Sequence, residues 1–374
     1  MLSKILESNK TWIENTFNKL DNKLSKVAVR SREKLPFSTQ GGVYTERAPS
    51  WWTNGFWGGL MCLMYDATKK DVYKSTSERA EKLLDKAFYC FDELHHDVGF
   101  MWHLTSTARY RIFDDKESRN RALIAASILA SRFNFSGKYI RAWNGIVRGD
   151  DSKGLTIIDS MLNLPLLYWA SKETGDDRFY KIATAQADMT IRDHIKEDGR
   201  VNHVVVHDSE TGAKLTSRAG QGYSEDSAWS RGRSWAIYGF ILSYIHTNNQ
   251  EYLSTAKRVS DLFIEEARKT NWVPKIDFCQ PEEPVGYDTS AGAVAACGLI
   301  ELAKITNEEK YLNAAINILK ALEEKWCDWS CDTDGTLMGS SDSYAGGWHK
   351  NLIYGDFYFV EAILKLKGSN FLIW

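Results

Sequence analysis

The chain has 374 residues, 43% of them hydrophobic and 26% charged, with a net charge of −2. That balance belongs to a globular protein long enough to bury a large core. It excludes a general attraction to nucleic acid or to anionic membranes, so an anionic small ligand would need local cations.

In chain order, the opening stretch MLSKILESNKTWIENTFNKL spaces its apolar residues as a helix does and predicts a helix over 3–27, packed on the rest of a single unit spanning 1–374. It lacks the continuous apolar run of an export signal. No segment offers about 18 uninterrupted apolar residues, so no membrane span is expected. Cys62, Cys90, Cys279, Cys297, Cys327 and Cys331 show no CxxC spacing and lie mostly in apolar patterns. They read as reduced thiols, and a cytoplasmic location follows.

From GFWGGLMCLMYDA onward the chain repeats itself. An apolar helix is followed by a short polar connector and then an amphipathic helix. The connectors YDATKKDVYKS, SKETGDDRFYKI, IHTNNQEYLST and AKITNEEKYLNA place Tyr73, Tyr180, Tyr252 and Tyr311 at the start of each second helix. The first helices, including MLNLPLLYWAS and AGAVAACGLIELA, are apolar nearly all round, which predicts burial on every side. Second helices such as STAKRVSDLFIEEA carry one apolar stripe and one charged face, which places them outside. DKESRNRALIAASILASRF and GDFYFVEAILKL supply parts of two further units. Inner helices alternating with outer ones describe an all-α closed double ring of six hairpins, an (α/α)6 toroid. An open solenoid would need polar end caps.

Four inner helices follow a polar stretch that carries an acid: HHDVGF, TIIDS, YSEDSAW and GYDTSAG. Asp97, Asp159, Asp226 and Asp288 therefore sit at one end of the ring, the expected active face. Each is also a candidate helix cap, since aspartate accepts hydrogen bonds from free helical N–H groups. Tryptophans gather beside these acids: Trp51, Trp52, Trp57, Trp102, Trp143, Trp229, Trp235 and Trp348. Flat amphipathic rings fill cores, but beside acids in a concave site they suit the faces of sugars. HVVVH reads as a strand with His203 and His207 on one face and lacks the glutamate of a zinc helix. His95 and His96 have no further ligand nearby in the sequence, so neither metal nor cofactor is expected. Arg231 and Arg233 need anionic partners, Glu225 or Asp226 among the neighbours, or else one faces an acidic sugar.

WTNGFWGG, HHDVGF, IIDSMLNLPLLYWA, GQGYSEDSAWSRGRSWAIYGF, DTSAGAVAACGLIEL and YGDFYFVEAILKL, in that order, resemble the motifs of the unsaturated glucuronyl hydrolases, glycoside hydrolase family 88. The resemblance runs from about Trp52 to Glu361. It implies an (α/α)6 toroid acting on oligosaccharides released by polysaccharide lyases, whose non-reducing end is a 4,5-unsaturated uronic acid. It also implies that Asp159 is the acid/base, with Asp97 and Gln221 assisting. Trp52, His96, Trp143, His203, Trp229, Arg231 and Trp235 would hold the sugar. Ser340 and Ser343 match part of the family's SxxSxK sulfate motif, but Ala345 stands where its lysine would be, and Lys350 lies further on. Ser343 and Lys350 are carried as substrate-binding candidates. Asp226 and Asp288 are read as caps. The implied partner is the unsaturated oligosaccharide, and the protein a monomer or weak homodimer. Rival readings are an unsaturated rhamnogalacturonyl hydrolase, an epimerase using histidine pairs, and a non-catalytic acidic-sugar-binding protein.

Overall fold

The computed structural model describes residues 2–147 and 149–374. The chain opens with α1 (Leu2–Arg30) and a hairpin of β1 (Pro36–Gln40) and β2 (Val43–Glu46). The first repeat is α2 (Asn54–Thr68) and α3 (Asp71–Leu84). The second begins with α4 (Val98–Trp102), continues through a π-helical turn, His103–Thr107, into α5 (Ala108–Phe113), and returns along α6 (Lys116–Ser131). Short hairpins β3 (Phe133–Asn134) with β4 (Tyr139–Ile140), and β5 (Ile146–Val147) with β6 (Asp150–Asp151), lead to β7 (Leu155–Ile157). The third repeat is α7 (Leu164–Thr174) and α8 (Asp177–Asp193). After it, β8 (Val204–His207) and β9 (Lys214–Arg218) join β7 in an antiparallel sheet. Then come α9 (Ser230–Thr247) and α10 (Gln250–Lys269), α11 (Thr289–Thr306) and α12 (Glu309–Trp326), and finally α13 (Ile353–Lys367).

The connectors share one device. The first helix ends on a left-handed residue, at Lys69, Asp114, Gly175, Asn248 or Asn307, whose N–H closes the last turn. Asp115, Asp176 and Asn249 then accept hydrogen bonds from the free N–H groups of the following helix. Tyr73, Tyr252 and Tyr311, each third in its helix, dock into the core, whereas in the third repeat Phe179 holds that position and Tyr180, one residue later, is exposed.

Packing follows the sequence pattern. Helix α2 contacts α4, α4 contacts α7, α7 contacts α9, α9 contacts α11, α11 contacts α13, and α13 contacts α2. The circuit closes. Helix α11 is buried without a break from Thr289 to Ala303. It is long and apolar enough to cross a membrane, yet its partners here are other helices. At its contact with α9, a Cβ on Gly298 would stand 2.8 Å from Cγ2 of Ile237 and 3.0 Å from the Cα of Tyr238, so glycine lets the two helices approach closely. The N-terminal helix is longer than expected over 3–27. It is no appendage: α1 packs on α13, α3 and α12, burying Ile13, Phe17, Leu20, Leu24 and Val27, and so serves as the outer partner of the last helix.

Candidate active site

The β segments connect outer helices to the next inner helix, and they frame a cleft of about 640 Å³ at that end of the ring. Asp159, Asp97, His95, His203, Gln221, Trp51, Trp52 and Trp143 line it.

Asp159 does not cap a helix. It lies in a 3₁₀ turn, Ile158–Leu162, between β7 and α7, and the N-cap of α7 is Asn163. The residue is 8% exposed. Its Oδ2 has no hydrogen-bond partner among the described residues and lies 3.5 Å from Nε2 of His203. The Gln221 backbone N–H donates to Nδ1 of His203 at 2.9 Å. A nitrogen that accepts in a neutral imidazole leaves the proton on the other one, so Nε2–H points at Asp159. Gly220 makes this possible: its φ is +61°, and an added Cβ would fall 2.1 Å from Nδ1 of His203.

Asp97, 6% exposed, occupies the N-cap position of α4 without a capping bond. Its carboxylate faces Nδ1 of His95 at 3.2 Å and Nε2 of His96 at 3.4 Å, and accepts from the Asn163 side-chain amide at 3.2 Å. Burial opposes ionisation of Asp97, but His96, His95 and Asn163 outweigh it and hold the carboxyl below its ordinary range. His96 is fully buried, which pushes its pKa down to about 4, and its Nδ1 lies 3.1 Å from the Ser160 hydroxyl. It is neutral near pH 7. Asn163 joins the two acids, since its amide also donates to the Asp159 carbonyl at 3.3 Å while its Oδ1 accepts from Phe100 N–H.

Several expectations change. Among the four acids, only Asp288 caps its helix, accepting from Ser290 N–H. Asp226 is exposed and pairs with Lys196 and Arg200, because α9 starts beyond it at Ser230. Arg231 is buried: its Nη1 binds Asp288 and the Ser341 carbonyl, and its Nη2 the Asp342 carbonyl at 2.7 Å. It is not among the residues lining the cleft. Trp229 stacks behind His203 at 4.1 Å, and Trp235 packs on Phe100 and Tyr358; both lie below the cleft surface. His96 sits behind Asp97, and His95 takes the cleft position expected of it. Ser343 and Lys350 lie outside the cleft lining; Lys350 pairs with Asp342 at 3.2 Å. Gln221 lines the cleft, but its side-chain amide donates to the Asp342 carbonyl at 2.7 Å. Trp52 and Trp143 stand in the wall as expected. His203 and His207 do not act together, because a register shift between Val206 and His207 breaks the alternation and His207 binds Asp193.

Sequence reasoning left out Asn163, Asp150 and Arg218, and it named Trp51, His95 and Glu225 without carrying them as site residues. Adjacency to Asp97 marks His95, and the motif around Asp159 contains Asn163. Asp150 and Arg218 meet only through the hairpin and the sheet. Donor atoms of His95, His96 and Asp97 lie within 4.8 Å of one another, a spacing open to a metal ion. Both imidazoles already face the Asp97 carboxylate, and the three come from one short segment.

Two acids on the floor of a tryptophan-walled cleft in a ring of helices make up a glycosidase site. No protein-family model matches the chain. It is 34% identical over 327 residues to the unsaturated glucuronyl hydrolase of Bacillus sp. (strain GL1), covering 84% of this chain and 86% of that protein. It is 31% identical to the unsaturated chondroitin disaccharide hydrolase of Streptococcus pneumoniae (strain ATCC BAA-255 / R6), covering 90% and 87%. The crystal structure of the Bacillus sp. GL1 hydrolase, described as responsible for glycosaminoglycan degradation, superposes with a TM-score of 0.88 at 30% identity, covering 94% of this chain and 96% of that one. A structure of an unsaturated glucuronyl hydrolase specific for heparin gives 0.86 at 27% identity, covering 95% and 97%. The chain belongs to the unsaturated glucuronyl hydrolase family.

Proposed function

We propose that this enzyme removes the 4,5-unsaturated uronic acid from the non-reducing end of lyase-generated glycosaminoglycan oligosaccharides. The observation that carries the reading is the buried Asp159, with one oxygen unpaired in the described structure, beside an Asp97 that its neighbours hold ionised. The closed circuit of helix contacts supports the (α/α)6 toroid.

Ordinary glycosidases employ two carboxylates, one protonating the leaving oxygen and the other attacking or activating water. An unsaturated uronic acid offers another route through its C4=C5 enol ether. Asp159 gives its proton to C4, and the ring oxygen supplies the electron pair that makes an oxocarbenium ion at C5. Water adds at C5 and returns a proton to the Asp159 carboxylate. The resulting hemiketal opens, and the second sugar leaves from the former anomeric carbon as an alcohol. The acid ends as it began.

The neighbours fit these steps. Nε2–H of His203 holds the carboxylate form of Asp159 between the two proton transfers. Anionic Asp97 stabilises the developing positive charge, and Trp51, Trp52 and Trp143 exclude water from the sugar faces. Gln221 acts through its backbone on His203. We place the enzyme in the cytoplasm, a reading that the unpaired state of all its cysteines supports.

The test is to mix the protein with unsaturated chondroitin, hyaluronan, heparin and rhamnogalacturonan disaccharides and follow the ultraviolet absorbance of the alkene. Loss of absorbance with a glycosaminoglycan disaccharide is expected. Loss with the rhamnogalacturonan disaccharide alone, or with none, refutes the reading.

A further inference from the structure

Two of the groups that line the cleft stand on irregular chain. Asp97 lies in the turn before α4, and Trp143 in the segment between β4 and β5. Neither stretch belongs to a helix or a strand, so their spacing must be fixed from outside. Arg132, the residue after α6, reaches both. It is buried, and its guanidinium donates to four backbone carbonyls: Nε to Arg141 at 2.8 Å, Nη1 to Leu94 at 3.3 Å, and Nη2 to Ala142 at 3.4 Å and to Trp143 at 2.8 Å. Bonds around it complete the junction. The His96 N–H donates to the Ala142 carbonyl at 3.1 Å, and the Asn144 amide to the Leu94 carbonyl at 2.9 Å.

No carboxylate forms an ion pair with Arg132 among the described residues. Burial and the like charge of Arg141 push its pKa down to about 10, while Asp97 acts in the opposite direction, so it stays protonated near neutral pH. Burying a charge without an ion pair costs stability, and a cation here therefore needs a reason. A guanidinium supplies what a neutral side chain does not: a rigid planar fork of N–H donors that can bridge carbonyls of two segments at fixed angles. The carbonyls it bridges belong to Leu94, which precedes His95, and to Trp143 itself.

We propose that Arg132 is a positioning residue for the hydrolytic reaction: it ties the turn that carries Asp97 to the segment that carries Trp143, so that the standing anion and the ring against the sugar take their places together. Arg132 is not among the residues lining the cleft and acts through the backbone of those that are. The inference rests on the hydrolase reading above.

The experiment measures kcat and KM on the unsaturated glycosaminoglycan disaccharide that the wild type cleaves fastest. The proteins are the wild type, Arg132→Met, Arg132→Lys, Trp143→Ala and the two double variants, each scaled to its folded fraction by circular dichroism. Arg132→Met is expected to lower kcat/KM about hundredfold, with kcat reduced and KM raised, because a shift of about 1 Å at a reacting group costs that much. Arg132→Lys keeps a donor cation without the fork and should recover about tenfold of the loss. With Trp143→Ala already present, each Arg132 substitution should cost about threefold less or better, since the ring it places is gone. A loss accounted for by unfolded protein, or losses that multiply to within about threefold in the double variants, overturns the positioning role and leaves the hydrolase reading intact. Should Arg132→Met fail to fold, Arg132→Lys and its double variant decide by the same two criteria. A wild type that cleaves no unsaturated glycosaminoglycan disaccharide strikes the hydrolase reading itself, and the positioning role falls with it.

Discussion

The two carboxylates on the cleft floor differ in their company. Asp97 faces two imidazoles and an amide and is held ionised. Asp159 keeps an oxygen that has no hydrogen-bond partner among the described residues and lies 3.5 Å from Nε2 of His203. A group that must give and retake a proton cannot be saturated with fixed donors, whereas a fixed anion requires them. This contrast is what the proposed mechanism draws on in giving the transferred proton to Asp159 and the standing charge to Asp97.

The hardest blow to this division is Asp159→Asn, which keeps the shape and removes the proton. It is expected to lower kcat on the order of 10³-fold with the fold intact by circular dichroism; turnover within tenfold of wild type would reassign the acid. Arg231→Met probes the region beneath the cleft. It leaves Asp288 charged, buried and unpaired, so a stability loss of about 3 kcal/mol is expected in denaturant titrations. A change in KM alone, with stability unaltered, would return Arg231 to the substrate.

Asn163→Ala sharpens the contrast from the other side. Asp97 loses a donor to its carboxylate, so its pKa rises and the acid limb of kcat/KM moves to higher pH. A loss of about tenfold to hundredfold near neutrality should accompany the shift; a uniform loss without movement of the limb would mean a structural role only. The smallest effect concerns stability. His96 has a folded pKa of about 4, below the ordinary value of 6.5, so its contribution is present above pH 6.5 and is lost as pH falls toward 4. Between pH 7 and pH 5 the cost is about 2 kcal/mol, and His96→Gln should flatten the stability profile over that interval.

How much of this was legible follows the range of the interactions. The helix pairs could be read because short polar connectors and the apolar faces of the helices they join are local signals. Asp159 could be read as one of four acids placed before inner helices, within a motif that resembles the family's acid/base segment. The fate of Arg231 could not: sequence neighbours suggested Glu225 or Asp226, while the partner is Asp288, brought in by the next inner helix. Trp229 and Trp235 look like Trp52 in the sequence and differ only in depth.

By itself the sequence determined the alternation of buried and half-buried helices, the end of each unit at which the acids lie, and the residues with chemistry to offer. Tertiary structure alone decided which groups face each acid, which nitrogen of His203 accepts a hydrogen bond, and which cations are already paired. Periodicity and capping act within a few residues of one another, but hydrogen-bond saturation and charge pairing depend on groups that only ring closure brings within 4 Å.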